Sequence, residues 1–127
     1  MKLLLSALLV VVTAGSAIAQ DIIREEIRRG PVPGSEDMEV IVTRLSVPVG
    51  ATIPLHTHPG DEYAVVVTPT KAQAPNGNIV EFAIGTPLFF PEGQVHGGLT
   101  NVGEAPMIAI TTHVVRKGAP LIMLAGQ

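Results

Sequence analysis

Residues 50–68 read GATIPLHTHPGDEYAVVVT and place His56, His58 and Glu62 within seven residues. Because residues two apart in a β-strand share a face, the two imidazoles project to the same side. The Pro-Gly pair that follows them favours a turn, which can bring Glu62 back beside them. Two imidazoles and a carboxylate on one side suit a divalent transition metal. This stretch therefore predicts a metal site built on a short strand and its turn.

Two further histidines, His96 and His113, complete the four in the chain. His96 follows a Pro-x-Gly turn at residues 91–93, where it could supply a fourth ligand from across the fold, although spacing alone leaves that contact open. His113 lies on an apolar strand and shares one face with Thr111 by alternation. If that face points inward, His113 is a candidate residue behind the metal ligands or a base that faces the substrate; otherwise it is an ordinary strand residue.

The pattern from Met38 onward is that of β-strands throughout. Runs rich in Val, Ile and Thr alternate with turn signals, and Asn76-Gly77 predicts a tight hairpin because it tolerates positive φ. We expect about eight strands and no helix in this part, which predicts one all-β domain, a small antiparallel barrel or sandwich. The tail from residue 117 is either a last short strand or a loop. The predicted strands are residues 39–47, 51–58, 62–68, 78–83, 88–90, 95–99 and 107–115.

Residues 1–19 have the features of a secretory signal peptide. Lys2 supplies a positive charge, residues 3–12 are almost wholly apolar, and residues 17–19 form a small-x-small cleavage site. The apolar run is roughly half the ~20 residues that a membrane-spanning helix needs. We therefore expect Sec-type export, cleavage after Ala19 and a periplasmic or secreted protein.

Residues 20–37 are expected to form an N-terminal arm ahead of a barrel domain at residues 38–127. Isoleucines at positions 22, 23 and 27 are interspersed among charged residues. This pattern leaves open a short helix or an extended arm that pairs elsewhere. The Gly/Pro-rich segment at residues 30–35 then breaks regular structure.

The composition excludes several classes of partner. The 127 residues carry 11 acidic and 8 basic side chains, giving a net charge of −3, and only four aromatic residues. We therefore expect no nucleic-acid binding and no stable membrane association. The chain has no Cys and so no disulfide. No Arg or Lys occurs between Leu45 and Thr70, which favours a small, neutral or weakly acidic substrate over an oxalate-like one.

Two regions of the chain resemble the motifs of the cupins. The first cupin motif is Gly, five residues, His-x-His, three or four residues, Glu, six residues, Gly, and this chain matches it from Gly50 to Glu62. The second is Gly, five residues, Pro-x-Gly, two residues, His, three residues, Asn, and the chain matches it from Gly85 to His96. The resemblance spans residues 50–101 and, with the flanking strands, most of the chain.

Two positions depart from the cupin pattern. Pro69 stands where the first motif ends in Gly, and it must alter the turn there because proline fixes φ and lacks an N–H. Asn101 comes one residue later than the motif asparagine, which leaves its usual structural role open. Neither position is a metal ligand in the family.

The resemblance implies an antiparallel barrel of the jelly-roll kind, with one metal inside held by His56, His58, Glu62 and His96. It implies a divalent transition metal (Fe, Mn, Cu, Ni or Zn), with Glu62 as a catalytic general base if the metal releases it. Cupins commonly form homodimers, often through N-terminal strands, so residues 22–29 are a candidate partner arm. A disordered terminus is the alternative.

Three functions follow as hypotheses. A metal with four protein ligands can keep positions open for water, dioxygen or a bidentate substrate. This resembles cupin dioxygenases, decarboxylases and sugar isomerases, so the first hypothesis is a metal-dependent oxygenase or related enzyme of the cell envelope. The second is a non-catalytic module that captures a small ligand or senses metal. The third is a purely structural metal with a closed shell, usually tetrahedral zinc.

Overall fold

The computed structural model describes residues 20–126, and within them the chain forms ten β-strands. The signal peptide predicted at residues 1–19 lies outside the described residues. Residues 20–126 include no helix with the length and apolar character needed to span a membrane. The strands are β1 (Ile23–Pro31), β2 (Met38–Val47), β3 (His56–Thr57), β4 (Gly60–Val66), β5 (Thr70–Gln73), β6 (Ile79–Phe82), β7 (Pro87–Phe90), β8 (Thr100–Asn101), β9 (Met107–Arg116) and β10 (Met123–Leu124).

A five-stranded antiparallel sheet in the order β1-β2-β9-β4-β7 is the largest layer of the fold. Along β9, buried residues alternate with half-buried ones, as expected for a sheet that packs one face inward. The register pairs Thr43 of β2 with Thr111 of β9, and Glu62 of β4 with His113 of β9. Directly opposed residues share a face, so these four side chains meet on the inner face of the sheet.

Two smaller antiparallel sheets, β6-β5-β8 and β10-β3, complete the barrel. β5 and β6 form the predicted hairpin, in which Gly77 has a φ of 86° that residues with a Cβ rarely adopt. Isolated bridges join Thr52 to Thr100 and His56 to His96. The prediction of an all-β antiparallel jelly-roll barrel is therefore confirmed.

The inner face of the long sheet changes from apolar to polar along β2 and β9. Val47 and Met107 are buried at one end, where they form an apolar cluster with Leu45. Burying an aliphatic side chain of this size stabilises the fold by about 1.5–3 kcal/mol. Further along the same strands, Thr43 and His113 are fully buried. The barrel therefore has an apolar floor and a polar region beside it.

Residues 20–37, the predicted N-terminal arm, form the strand β1 and no helix. β1 pairs antiparallel with β2 of its own chain and occupies the edge of the large sheet, with a register shift between Glu26 and Arg28. The strand continues to Pro31, so the Gly/Pro-rich segment does not break it at residue 30 as predicted. A proline is tolerated there because an edge strand has one side without ladder partners.

Two predicted strands are much shorter than expected. Residues 51–58 form bridges at Thr52 and in β3, and residues 95–99 form one at His96, with further backbone hydrogen bonds between Ile53 and residues 98 and 99. Pro54 has no N–H to contribute to a ladder. The glycine that follows His96 has a φ of 102°, which turns the chain out of the extended conformation. These segments are loops that carry ligands, and the tail does form the short strand β10.

Asn101 keeps a structural role although it comes one residue late in the motif. Its side chain is buried, and its amide nitrogen donates to the carbonyls of Val47 and Ala105, both at 2.9 Å. Its oxygen accepts from the Thr70 hydroxyl at 3.1 Å and from the Gly103 N–H at 2.9 Å. The side chain therefore ties β5 and β8 to the end of β2.

Candidate metal centre

Four side chains with metal-binding atoms converge inside the barrel. One ligand atom from each lies within 4.8 Å of the other three. Strand β3 and the residue after it carry the first two ligands, β4 carries the third, and the bridge from β3 brings in the fourth. The first three are buried and the fourth is half-buried. The structure thus brings together the four predicted ligands, which are His56, His58, Glu62 and His96.

Each of the three histidines is oriented by a backbone carbonyl. The Nδ1 atom lies 2.7 Å from the Pro54 oxygen in His56 and 2.5 Å from the Leu121 oxygen in His58. In His96 it lies 2.9 Å from the oxygen of residue 94. A carbonyl oxygen can only accept, so Nδ1 carries the hydrogen in all three rings. The Nε2 lone pairs are thereby directed at the centre, as in metal-binding histidines whose other nitrogen is held by the protein.

The atoms that face one another at the centre are all acceptors, so a cation between them is required. Glu62 Oε2 lies 3.0 Å from His58 Nε2 and 2.9 Å from His96 Nε2. A carboxylate oxygen and the unprotonated nitrogen of a neutral imidazole are both acceptors, so a proton or a metal ion has to lie between them. His56 Nε2 is buried without any hydrogen-bond partner among the described residues. The donor set therefore fits one divalent transition metal.

The ionisation of these groups favours metal binding. Burial raises the pKa of Glu62, but its contacts with His58 and His96 outweigh burial and hold the pKa of this carboxyl well below its usual range. Burial lowers the pKa of His56, which keeps its ring neutral. Burial also lowers the pKa of His96, but the Glu62 carboxylate overcomes this and the net shift is upward. The Glu62 carboxylate thus favours a positive charge at this ring, which a bound metal ion would supply.

Two glycines allow the ligand loops to approach other backbone closely. A Cβ at Gly60 would lie 2.0 Å from the Val114 carbonyl oxygen, so only glycine lets β4 begin beside β9 and present Glu62. A Cβ at Gly97 would lie 2.3 Å from the Pro54 oxygen, which is the atom that orients His56. Both positions fix where the ligands lie, and neither glycine belongs to the two sequence motifs.

Phe90 supports the half-buried ligand. Its ring stacks on the imidazole of His96 with a centroid distance of 4.1 Å and an interplanar angle of 10°. In the sequence, the Leu-Phe-Phe run at residues 88–90 favours packing over recognition of a ligand. Alternation along β7 turns Phe90 inward and leaves Phe89 exposed beside Tyr63.

A second group of polar side chains lies beside Glu62. Arg24 of β1 reaches into the barrel, where its Nη1 is 4.0 Å from Glu62 Oε1. The same nitrogen contacts Thr43 Oγ1 at 3.2 Å, Thr111 Oγ1 at 3.1 Å and His113 Nε2 at 3.2 Å. We call these four residues, Arg24, Thr43, Thr111 and His113, the polar cluster.

The polar cluster holds His113 in one neutral form. Arginine can only donate, so His113 Nε2 accepts and the ring hydrogen is on Nδ1, which has no partner among residues 20–126. Burial lowers the pKa of His113 to about 4. The ring is fully buried, and its Nε2 is 3.7 Å from Glu62 Oε1. His113 therefore faces inward beside the ligand carboxylate, which was one of the two alternatives for it.

The presence of Arg24 removes the reason for expecting a neutral or weakly acidic substrate. That expectation rested on the absence of basic residues between Leu45 and Thr70, but the cation comes from β1, far away in the sequence. Arg24 lies opposite Leu45 in the β1–β2 register and so shares its inward face. In the sequence, Arg24 is one of several charged residues within residues 20–29. Nothing in that pattern indicates that its side chain lies beside Glu62.

A cavity of about 70 Å³ lies beside the ligands. Its walls are mainly apolar and include Leu88, Phe90 and Met107. An outer cleft of about 540 Å³ lies next to it, between the N-terminal residues and the loop before β3. A small molecule can therefore approach the centre from this side. The residues that line both spaces are Arg24, Leu45, Ile53 and His56.

The chain is similar to known proteins more in its fold than in its sequence. No protein-family model matches the chain. The auxin-binding protein ABP20 of Prunus persica is 29% identical over 94 residues, which cover 63% of this chain and 40% of that protein. The chain therefore spans less than half the length of this curated relative.

Several solved structures have the same fold. A double-stranded β-helix protein from Klebsiella pneumoniae is 25% identical with a TM-score of 0.59, covering 87% of this chain and 90% of that one. A cupin domain from Bordetella pertussis is 21% identical with a TM-score of 0.56, covering 77% and 97%. The DMSP lyase DddQ from Ruegeria pomeroyi is 16% identical with a TM-score of 0.59, covering 82% and 51%. For the last two structures, which are 21% and 16% identical to this chain, the similarity concerns the fold alone. With its jelly-roll barrel, its two motifs and its cluster of three histidines and one glutamate, this chain has the cupin fold.

Proposed function

We propose that this protein is a metal-dependent cupin enzyme in which His56, His58, Glu62 and His96 hold one divalent transition metal. The observation that carries the proposal is the convergence of three Nε2 atoms and Glu62 Oε2 without a donor hydrogen among them. Structural zinc sites are closed tetrahedra. Here a cavity adjoins the four ligands, which favours a reactive site over a purely structural one.

The reaction that we propose is of the oxygenase type, on a small molecule. A metal in this position would supply Lewis acidity and open coordination positions for the substrate and dioxygen. The apolar walls, Phe90 among them, exclude water from the reacting atoms. Glu62 has a lowered pKa, which supports its role as a ligand. Its role as a general base would require release from the metal, and its Oε1 already lies 4.0 Å from Arg24 Nη1 and 3.7 Å from His113 Nε2.

The sequence pattern of residues 1–19 supports the further proposal that the domain acts in the periplasm or outside the cell. Export in the unfolded state would load the metal there, where the affinity order of divalent metals favours Cu and Zn. We therefore expect protein purified from the periplasm to differ in metal content from protein expressed without residues 1–19. Identical metal content in the two preparations would argue against this proposal.

Oxygen consumption tests the enzymatic proposal. We expect metal-loaded protein to consume dioxygen with at least one member of a panel of enols, catechols and 2-hydroxy acids. Glu62→Gln should abolish this consumption, whereas Glu81→Gln, at an exposed site, should not. A ligand that raises the thermal midpoint without any turnover would support the non-catalytic binding module instead. A loaded protein with no open coordination position by spectroscopy would support a structural metal.

A further inference from the structure

We propose that Arg24 makes the metal centre selective for small carboxylates by pairing with the carboxylate group of the bound ligand. This inference rests on the proposed function, because it requires a divalent ion on the four ligands. It replaces the neutral or weakly acidic substrate that the sequence suggested with an anionic one. The ligand class is a small carboxylate with a second oxygen donor next to it, such as a 2-hydroxy acid.

The charges of the loaded centre call for an anion. Three neutral imidazoles contribute no charge, and among residues 20–126 Glu62 is the one ionised acid in contact with the centre and with Arg24. A divalent ion together with the guanidinium would therefore leave two positive charges in excess, in a cavity with mainly apolar walls. Buried charge without a partner is strongly unfavourable. A carboxylate ligand removes part of this excess, whereas a neutral ligand of the same shape does not.

The guanidinium is fixed in place but not fully used. Its contacts with the Thr43 and Thr111 hydroxyls and with His113 all involve Nη1. Within residues 20–126, Nη2 and Nε make no hydrogen bond. A guanidinium has five N–H donors in a planar fork that matches a carboxylate. Arg24 can thus bind a ligand through its remaining donors while Nη1 stays in the polar cluster.

Arg24 also lies where a ligand would pass. It lines both the inner cavity beside the ligands and the outer cleft. Only 16% of its side chain is exposed, so it is part of the interior wall rather than a surface cation. The cavity of about 70 Å³ limits what can bind. At about 10–15 Å³ for each water-sized group, it holds a ligand of about five to seven non-hydrogen atoms.

Glycolate and glycolamide form a matched pair of probes. They have the same number of non-hydrogen atoms and the same hydroxyl, but only glycolate carries a negative charge. Both would be titrated into Co²⁺-loaded protein by calorimetry, with the visible absorption bands of the ion as a second readout. Arg24→Gln removes the charge, and Arg24→Lys keeps the charge without the fork. Arg44→Gln, on the exposed side of β2, is the control.

We expect Arg24→Gln to weaken glycolate binding about ten- to hundredfold, the range for hydrogen bonds to charged groups. Glycolamide binding should change less than about threefold, since a neutral ligand gains little from the cation. Arg24→Lys should bind glycolate with intermediate affinity because its single ammonium lacks the fork, and Arg44→Gln should match the unaltered protein. The Co²⁺ affinity of Arg24→Gln should be equal or higher, because a positive charge near the metal is removed.

The outcomes separate this inference from the proposed function. If the unaltered protein binds no Co²⁺, both are wrong. Suppose that it binds Co²⁺, but Arg24→Gln weakens the binding of glycolate and glycolamide equally or weakens the binding of neither. Then only the role proposed for Arg24 is wrong. If Arg24→Gln does not fold, Arg24→Lys tests the inference instead. If Arg24→Lys binds glycolate as tightly as the unaltered protein does, pairing through the guanidinium fork is contradicted. Failure of the unaltered Co²⁺ protein to prefer glycolate over glycolamide would also overturn the inference.

Discussion

Glu62 Oε2 lies 3.0 Å from His58 Nε2, although the other ring nitrogen of His58 already donates to a backbone carbonyl. Two acceptors at this distance need a positive charge between them. In the loaded protein the metal ion supplies that charge. Proton and metal compete for the same lone pairs, so metal affinity should fall as the pH falls.

Removal of a ligand should remove the metal. We expect Glu62→Gln and His96→Ala to lose the near-stoichiometric metal that the unaltered protein carries, measured by elemental mass spectrometry on untagged protein. Glu81→Gln is the control, because Glu81 forms an exposed ion pair with Lys71 at 3.1 Å. The metal should also stabilise the unaltered protein by about 2.7 kcal/mol at 100 times its Kd. Unchanged metal content in both ligand variants would contradict the assignment.

Gly60→Ala should destabilise the protein severely. The added Cβ would lie 2.0 Å from the Val114 carbonyl oxygen, and backbone cannot rearrange as a side chain can. We expect a loss of about 3 kcal/mol or more in the free energy of unfolding, at the upper end for overpacking. Gly30→Ala is the matched control, since nothing lies within 4 Å of a Cβ there. Urea unfolding of the two variants tests this, and equal midpoints would contradict it.

Acid should weaken the metal-free protein through His113. Its pKa is about 4 in the folded state, against 6.5 when unperturbed, because it is buried. At pH values between these two pKa values, His113 is protonated in the unfolded chain and neutral in the folded protein. The stabilising contribution is therefore complete above pH 6.5 and is lost as the pH falls towards 4, by up to about 3 kcal/mol. The low pKa of Glu62 acts in the same direction below pH 4.5, whereas the raised pKa of His96 acts in the opposite one.

The contribution of His113 can be isolated by difference. We would compare the free energy of unfolding of chelator-treated protein with that of His113→Gln between pH 4 and 7.5. The stability of the unaltered protein should depend more steeply on pH than that of the variant across this range. If the two curves run parallel, His113 titrates alike in the folded and unfolded states and the prediction is wrong.

Phe90→Ala should weaken metal binding without removing a ligand. The stacked ring fixes the plane of His96, and loss of such support around a ligand typically costs about 10- to 100-fold in metal affinity. Phe89→Ala is the control, because Phe89 is the neighbouring residue with its ring on the exposed face. Competition with a chromophoric chelator measures both affinities. A Phe90→Ala affinity equal to that of Phe89→Ala would show that the stacking has no role.

The edge strand β1 provides a test of the homodimer that the resemblance implied. An edge strand offers unpaired backbone groups, and Ile23 and Ile27 on β1 are 62% and 54% exposed. We expect light scattering after size exclusion to give a dimer, and Ile27→Lys to shift it towards the monomer. Ile84→Lys, at a residue 70% exposed in a loop, should leave the dimer intact. A monomeric unaltered protein would refute the expectation.

Local spacing is why the candidate ligands could be predicted. His56, His58 and Glu62 are close in sequence, so their convergence depends only on one short strand and one turn. His96 was harder, because its contact depends on a bridge to His56 across the barrel. The motif resemblance supplied that fourth ligand, and backbone pairing explains it physically.

The amino-acid sequence by itself determined the all-β class, the hairpin at Asn76-Gly77 and the set of candidate ligands, because these depend on alternation, turn chemistry and short spacings. Only the tertiary structure decided that Arg24 and His113 lie beside Glu62. Their positions depend on which strands are neighbours and in which register they pair, and a shift of one residue would turn each side chain to the other face. Those pairings join residues far apart in the chain, and they arise only when the whole barrel closes.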